Sequence, residues 1–340
     1  MNTNDAKYTD FGLVTDMLAT PDIVAAFDCD RMKATATAIG SVGRLMMTGE
    51  GSSRIFPAKH AMKIAMQRGY DLQLYTEAGK QAAEYALADW ALFALSNSGR
   101  TAEVIQLFGD LNAAGHQHLY SLTAFADSKL ESLATAGYVL SCGEEGAVAA
   151  TKSVVEQALF YQALVEHIAG DATLVGRLSQ LAEQMRSALT VEIPAEITDR
   201  IANAGTICFA GRNDGVSEEL TLKTNEITRK PSDFFEGTYG AHGVEEVLNA
   251  DDVIVWIDPY ADQEEKFEQV LIDGVGLTIV AIADRETRFP TIRIPDAGDL
   301  GGYVQMAAGW NLLVEVGSKL GVNLDKPERA RKVGNEFVAE

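Results

Sequence analysis

A turn dense in hydroxyl groups, Ser96-Asn97-Ser98-Gly99-Arg100-Thr101, directly follows the apolar run Trp90 to Leu95. The run is typical of a buried strand, and the residues after the turn have the pattern of a helix. At the end of a strand in a parallel sheet, this arrangement aims hydroxyls and the N–H groups of a helix N-terminus at one point. Such a point suits a phosphate or another small oxyanion. A plain helix cap is the alternative interpretation, because Ser, Thr and Asn often precede helices.

The charge of the chain limits what else it can bind. Its formal charge is −21, which repels nucleic acid and anionic membranes, so we expect neither as a partner. An anion site must therefore work locally, through hydroxyls, backbone N–H groups and Arg54 or Arg100. With 340 residues, of which 47% are hydrophobic, the chain is long enough for two globular domains.

Targeting and redox signals favour a cytoplasmic protein. No stretch approaches 18 unbroken apolar residues, and Met1-Asn2-Thr3-Asn4-Asp5 lacks the basic and apolar regions of a signal peptide. The three cysteines, Cys29, Cys142 and Cys208, are widely spaced and are interpreted as reduced thiols. Because no residues have the spacing of metal ligands, we expect neither a metal nor a cofactor.

Predicted strands and helices alternate along the chain, which indicates parallel sheets covered by helices. In the first half, strands are predicted at 44–48, 71–75, 90–95, 118–123 and 138–142, and a long helix at 150–168. In the second half the pattern recurs at 206–210, 253–257, 277–283 and 291–294, which indicates an internal duplication. Ile193-Pro194-Ala195-Glu196 breaks the helical pattern and is predicted to lie in the linker, at 188–198.

The two copies differ at the position where chemistry is expected. After its central strand the second copy has Asp258-Pro259-Tyr260-Ala261-Asp262, which is acidic and contains a proline. Only the first copy is therefore predicted to hold an oxyanion. The second copy is expected to supply scaffold and catalytic groups.

From about residue 40 to 335 the sequence resembles the sugar isomerase (SIS) domain family, and looks most like the isomerase half of glucosamine-6-phosphate synthase. The resemblance implies an α/β fold of two duplicated SIS subdomains, each a parallel five-stranded sheet flanked by helices. It implies an N-terminal helical segment at 1–30, a first SIS domain at 31–175, a second at 190–320 and a C-terminal tail at 321–340.

The family's phosphate-binding turns match two segments of this chain. The matching residues are Gly51, Ser52 and Ser53 in the first turn and Ser96, Asn97, Ser98 and Thr101 in the second. Arg100 is added to this set as a cation for a phosphate or sulfonate, with a solvent-facing side chain as the alternative. The segment Ala147 to Lys152 matches the family's sugar-lining segment, which implies that Val148 and Thr151 contact the sugar.

The same resemblance implies four catalytic residues. Glu226 matches the family's glutamate and would move a proton between C1 and C2, with Lys223 three residues before it. His242 follows sixteen positions later and would assist ring opening, coming from the neighbouring subunit of a homodimer. Lys332 follows Asp325-Lys326-Pro327 and would either form a Schiff base or neutralise charge. The alternative for each residue is a surface side chain without a catalytic role.

Several positions depart from the family pattern. Asn97 stands where the family has glutamine, Arg100 where it has glutamate, and Ala150 where it has serine. Thr238-Tyr239 replaces Gly-Glu before the histidine, and Glu50 adjoins the first turn. These departures indicate a sugar or anionic group other than the one that the synthase binds. The glutaminase half, which needs an N-terminal cysteine, has no counterpart in this sequence.

The combined hypothesis is a cofactor-free aldose–ketose isomerase. Its substrate would be a hexose with a terminal phosphate or similar anion, such as a sulfonate, and the reaction would pass through an enediol. A deglycase or deaminating isomerase of an amine-linked 6-phosphosugar is the second hypothesis. A sugar-phosphate sensor without catalysis is the third, and the joint presence of Glu226, His242 and Lys332 counts against it.

Overall fold

The computed structural model of the chain describes residue 1 and residues 5–338. Residues 2–4 and 339–340, at the ends of the two predicted terminal segments, lie outside the described residues. The chain divides into two compact units that interleave along the sequence. The first-sheet unit comprises Asp22–Glu145, Ala150–Ser179 and Arg331–Glu340, and the second-sheet unit comprises Met1–Pro21, Gly146–Ala149 and Gln180–Ala330. The linear domain boundaries given above stay predictions.

The first-sheet unit is built on a parallel five-stranded sheet with the strand order β2-β1-β3-β4-β5. Its central strands are apolar and buried along their whole length, which is typical of a parallel sheet covered on both faces. The strands are β1 (Arg44–Thr48), β2 (Gln73–Glu77), β3 (Ala91–Ser96), β4 (Leu119–Thr123) and β5 (Ala136–Val139).

The second sheet has the order β7-β6-β8-β9-β10, which repeats the first sheet strand for strand. Its strands are β6 (Ile207–Gly211), β7 (Ser232–Glu236), β8 (Val253–Ile257), β9 (Thr278–Ala283) and β10 (Thr291–Arg293). The two matching sheets confirm the predicted α/β fold with two parallel five-stranded sheets flanked by helices. The edge strand β7 was not predicted.

Helices connect the strands, as parallel pairing requires. In the first half of the chain they are α1 (Ala6–Thr9), α2 (Gly12–Ala25), α3 (Lys33–Val42), α4 (Ile55–Arg68), α5 (Gly79–Ala82), α6 (Ala102–Ala113) and α7 (Lys152–Ala169). In the second half they are α8 (Leu178–Thr190), α9 (Ala195–Ala202), α10 (Val216–Thr228), α11 (Glu264–Phe267) and α12 (Gly301–Lys319). The gap between α8 and α9 contains Pro194, where the helical pattern was predicted to break. It lies within the second-sheet unit, so the position of the linker stays a prediction.

Two long helices are almost wholly buried, one in each unit. Fifteen consecutive residues of α7, Lys152 to Glu166, are buried, and α12 is buried over most of its nineteen residues. A helix that is buried all round cannot be amphipathic, so its polar residues must find partners inside the protein. One of those residues in α7, Gln157, contacts the first hydroxyl turn.

Candidate anion site and catalytic groups

The two hydroxyl turns lie side by side at the carboxyl edge of the first sheet. Strand β1 pairs with β2 on one side and with β3 on the other, so the strand order reverses between β1 and β3. The turn Gly51–Ser53 follows β1 and the turn Ser96 to Thr101 follows β3. The crevice at such a reversal point is where open α/β sheets bind ligands. The structure therefore brings the two predicted halves of the anion site together.

Glycines allow the backbone of these turns to approach closely. A Cβ on Gly49 would lie 2.8 Å from the carbonyl oxygen of Leu95, the last residue of β3 before the second turn. Gly99 has φ +62°, and a Cβ there would lie 2.4 Å from the Cβ of Ser128. Neither position can accept a larger residue without moving the turn.

The second turn is organised by its own hydroxyls. Ser96 Oγ lies 2.9 Å from Thr101 Oγ1 and accepts a hydrogen bond from the Gly99 N–H at 3.1 Å. Ser98 Oγ accepts from the Arg100 N–H, also at 3.1 Å. Because hydroxyl hydrogens rotate, the same groups can turn toward an oxyanion at the N-terminus of α6.

The first turn is linked to the buried polar face of α7. Gln157 is fully buried, and its Nε2 lies 3.4 Å from Ser53 Oγ. Among the described residues, no hydrogen-bond partner is found for Gln157 Oε1. Gln157 was missed by the sequence reasoning, because α7 contains several polar residues and nothing in the sequence sets Gln157 apart from them.

The two predicted sugar-lining residues fall in different units. Thr151 is buried and forms the N-cap of α7 in the first-sheet unit, where its N–H donates to Glu145 Oε1 at 2.7 Å. Val148 belongs to the second-sheet unit, and its N–H donates to the Asp325 carbonyl oxygen at 3.0 Å. Asp325 also accepts from the N–H groups of Gly12 and Leu13 with its side chain, so it is an anchor of this segment.

The C-terminal segment, residues 331–338, pairs with the second turn. The Ala102 N–H donates to the Asn335 carbonyl oxygen at 3.0 Å, and the Phe337 N–H donates to the Arg100 carbonyl oxygen at 2.9 Å. The Arg100 side chain forms an exposed ion pair with Glu336 at 2.7 Å. The Arg100 side chain is thus largely exposed and shares its charge with Glu336, and both roles considered for it stay predictions.

Lys332 is brought to the same turn by this segment. Its Nζ lies 2.7 Å from Glu145 Oε2, and the side chain of Glu145 is fully buried. The same carboxylate oxygen lies 3.5 Å from Asn97 Nδ2. Glu145 was missed because a loop glutamate carries no periodic signal.

In the second-sheet unit, α10 presents three charged residues on one face. Lys223 is fully buried, and its Nζ lies 2.5 Å from Glu226 Oε2 and 3.4 Å from Glu219 Oε1. Glu219 is also fully buried, whereas the Glu226 side chain is 20% exposed. Spacings of four and three residues place all three side chains on one face of the helix. Glu226 is thus a carboxylate held by a buried ammonium and still open to solvent.

His242 lies elsewhere in the second-sheet unit, on an exposed turn after β7. It helps line an open hollow of about 560 Å³, together with Phe234, Glu236, Thr238 and Tyr239. None of the residues lining this hollow belongs to α10. The edge strand that was not predicted, β7, supplies Phe234 and Glu236 to it.

The carboxyl edge of the second sheet is occupied by its own side chains. Arg212, after β6, pairs with Asp258, after β8, at 2.7 Å, and its guanidinium lies 4.5 Å from the centre of the Tyr260 ring. This is the position that corresponds to the two hydroxyl turns of the first sheet. Because Arg212 is already paired with Asp258 there, its positive charge is less available to an anionic ligand.

Two of the three cysteines, Cys29 and Cys208, are buried thiols, whereas Cys142 is partly exposed. Burial raises the pKa of the Cys29 thiol, and likewise that of Cys208, to about 12. In the part of the chain that the structure describes, no group of three or more His, Cys, Asp or Glu side chains could hold a metal ion.

Glu50, beside the first turn, is expected to make stability depend on pH. Burial raises the pKa of its carboxyl above the ordinary 4.5, although the Gly79 N–H hydrogen bond opposes the shift. The folded state therefore binds the proton more tightly than the unfolded state does, and stability falls as pH rises from 4.5 through the raised pKa. Glu50→Gln removes this loss. In urea unfolding, the stability of the variant relative to the native protein should increase between about pH 4 and pH 7.

The exposed Glu84→Gln is the control for this substitution, since Glu84 lies in the same unit. A difference between Glu50→Gln and the native protein that stays constant over the pH range would show that the Glu50 carboxyl is not perturbed by burial.

Comparison with known proteins identifies the part of the chain that carries the two hydroxyl turns. The family model described as the SIS domain matches residues 39–167. These residues form a SIS domain. The match confirms the predicted SIS resemblance, and both turns, Thr151 and Gln157 fall within it. No curated protein matches this sequence.

Solved structures share the fold over nearly the full chain. The C-terminal domain of glucosamine-fructose-6-phosphate aminotransferase from Francisella tularensis superposes with a TM-score of 0.80 at 15% identity, covering 95% of this chain and 99% of that one. Tagatose-6-phosphate ketose/aldose isomerase from Escherichia coli gives 0.75 at 15% identity, with 96% and 99% covered. Glucosamine-6-phosphate deaminase from Thermotoga maritima gives 0.74 at 17% identity, with 95% and 99% covered. At these identities the likeness establishes the fold of the chain.

Among the described residues, no helix is both long and apolar enough to cross a membrane.

Proposed function

We propose that this protein is an aldose–ketose isomerase that acts on a hexose with a terminal phosphate or a similar anion. The observation that carries the proposal is the meeting of two hydroxyl turns at the reversal point of the SIS domain's sheet. Structures with the same fold include an isomerase named for tagatose 6-phosphate and a deaminase named for glucosamine 6-phosphate. Both names contain an anionic 6-phosphosugar, which agrees with an oxyanion site in the turns.

The anion is held by local hydrogen bonds in this proposal. The chain carries a charge of −21, and Arg100 already shares its charge with Glu336. Affinity for the anion therefore comes mainly from Ser52, Ser53 and the second hydroxyl turn, together with the N-terminus of α6. Hydrogen bonds between neutral donors and a charged oxygen are strong enough for this purpose.

Glu226 is the base in the proposed reaction. It takes the proton from C2 of the open-chain aldose, the C–H electron pair forms the C1–C2 double bond, and O1 is protonated to give the enediol. The same carboxyl then returns a proton to C1, and O2 gives up its proton to form the ketone. Lys223 supports this role because its ammonium, 2.5 Å away, can hold the carboxylate in place.

His242 and Lys332 complete the proposed chemistry. The imidazole of His242 is exposed at the edge of a hollow, where it is the acid–base group that we assign to ring opening. Lys332 is assigned to the developing negative oxygen because the C-terminal segment brings its Nζ to the second hydroxyl turn, where it contacts Glu145. An exposed histidine is also suited to a homodimer in which it serves the neighbouring subunit.

A panel of sugars tests the proposal. The purified protein is incubated with 6-phosphorylated and 6-sulfonated aldoses, ketoses and amine-linked adducts, and the products are identified by NMR. Interconversion of an aldose and its ketose supports the isomerase. Release of ammonia or an amine without simple isomerisation would favour the deaminating alternative. Binding without any turnover would favour the sensor.

Ser98→Ala tests the anion site directly. Each hydrogen bond to a charged group contributes about 1.5–3 kcal/mol, so KM for the anionic sugar should rise about tenfold or more while kcat changes less. Ser132→Ala, an exposed serine of the same unit, is the control and should leave both constants unchanged. A Ser98→Ala protein that is folded and retains its KM would contradict the assignment of the second turn.

A further inference from the structure

The carboxylate of Glu145 is buried in a loop and is surrounded by donors. Glu145 lies between β5 and α7, and its side chain is fully buried. One oxygen accepts from the N–H groups of Thr151 and Ser153, at 2.7 and 3.2 Å. The other accepts from Lys332 Nζ at 2.7 Å and lies 3.5 Å from Asn97 Nδ2. A buried carboxylate is tolerated only with such partners.

Capping of α7 explains only half of this arrangement. Thr151 is the N-cap residue and could cap the helix with its own hydroxyl, as threonine usually does. Its Oγ1 is instead buried, with no hydrogen-bond partner found among the described residues. Glu145 caps the helix in its place, and a carboxylate brings a second oxygen that a threonine hydroxyl lacks. That second oxygen is the one that contacts Lys332.

The backbone around Lys332 is fixed independently of Glu145. Main-chain hydrogen bonds join Asn335 to Ala102 and Phe337 to Arg100, and the Phe337 side chain packs against the core of the first-sheet unit. These bonds hold the segment but not the end of a long, flexible lysine side chain. The ammonium contacts a Glu145 oxygen that also lies 3.5 Å from Asn97 Nδ2 of the second turn.

We propose that Glu145 is a positioning residue that holds the Lys332 ammonium against the anion turn. The catalytic use of Lys332 rests on the proposed function, but the contact itself is tested without activity. Glu145→Gln keeps an acceptor for the two helix N–H groups and replaces the ion pair by a neutral amide. Glu144→Gln makes the same change of charge one residue earlier, at an exposed position, and is the matched control.

The first measurement is the rate at which a soluble acylating reagent modifies Lys332, followed by mass spectrometry without any sugar. The Lys332 side chain is 33% exposed, so the reagent can reach it in the native protein. Loss of a charged hydrogen bond should speed acylation by about three- to tenfold in Glu145→Gln and leave it unchanged in Glu144→Gln. The exposed Lys129, in the same unit, is the internal reference. Amide hydrogen exchange at Phe337 should stay slow, because the main-chain bonds of the segment remain.

An unchanged Lys332 rate in Glu145→Gln overturns the proposal, whatever the protein does to sugars. Fast exchange at Phe337 in that variant also overturns it, since Glu145 would then anchor the whole segment rather than the ammonium. Faster acylation of Lys332 with slow exchange supports it, even if the sugar panel shows no isomerase and the proposed function fails.

Lys332→Gln examines the contact from its other end and avoids any folding defect of a Glu145 variant. It leaves the buried carboxylate without its ammonium, so the Tm should fall by several degrees, while Lys129→Gln should leave the Tm unchanged. Equal Tm values for the two variants contradict the proposal.

With an active enzyme, Glu145→Gln and Lys332→Gln should each lower kcat more than they raise KM, and the double variant should lose little more activity than either single variant. Fully additive losses would also contradict the proposal.

Discussion

Glu226→Gln is expected to lower kcat by about 10²–10⁴-fold, the usual contribution of general acid–base catalysis. The amide keeps the size of the side chain and its hydrogen-bonding capacity but cannot accept the C2 proton. KM should change little, because the proposed anion contacts all belong to the SIS domain. The measurement is the steady-state rate of interconversion of the sugar that the panel identifies.

Glu218→Gln is the matched control, since it removes a carboxylate from the same helix without touching the Glu219-Lys223-Glu226 face. It should retain kcat within a small factor. A Glu226→Gln protein with the native rate would mean that another group moves the carbon proton. A comparable loss of kcat in Glu218→Gln would mean that removing any negative charge from the helix lowers kcat.

Lys223→Met is expected to cause the largest loss of stability. Lys223 and Glu219 are both fully buried, so removing the ammonium breaks a buried ion pair and leaves the Glu219 carboxylate inside the protein. Breaking a buried ion pair in this way costs about 3–5 kcal/mol. The free energy of unfolding from urea titration should fall by that amount, and the expression of folded protein should fall with it.

Two further variants separate charge from packing. Adding Glu219→Gln to Lys223→Met removes the buried carboxylate and should recover part of the lost free energy of unfolding. Lys266→Met, at an exposed position in the same unit, should have a small effect. If the double variant is no more stable than Lys223→Met, the loss comes from packing and the charge argument is wrong.

The central strands of both sheets could be predicted because burial on two faces leaves continuous apolar runs. Ala91–Ser96 and Val253–Ile257 lie within a residue of their predicted positions. Edge strands carry a weaker signal. The strand predicted at 138–142 is Ala136–Val139, which pairs on one side only, and β7 has the half-polar sequence Ser-Asp-Phe-Phe-Glu.

The residues of the candidate site also differ in whether the sequence could predict them. The hydroxyl turns are local in sequence, and their meeting follows from strand order. Glu219 was detectable from its spacing to Lys223 and Glu226, but a helix glutamate is usually exposed. Glu145 and the pairing of the C-terminal segment with the second turn depend on contacts across nearly 190 and more than 230 residues, for which one sequence offers no pattern.

Solvent exchange at C2 of the sugar tests the central claim most directly. The reaction is run in D₂O with the phosphorylated or sulfonated hexose that the panel identifies, and deuterium at C1 and C2 is followed by NMR. An enediol route through Glu226 predicts that deuterium enters the product, and that Glu226→Gln suppresses exchange and turnover together. Turnover and exchange that persist undiminished in Glu226→Gln would contradict the account.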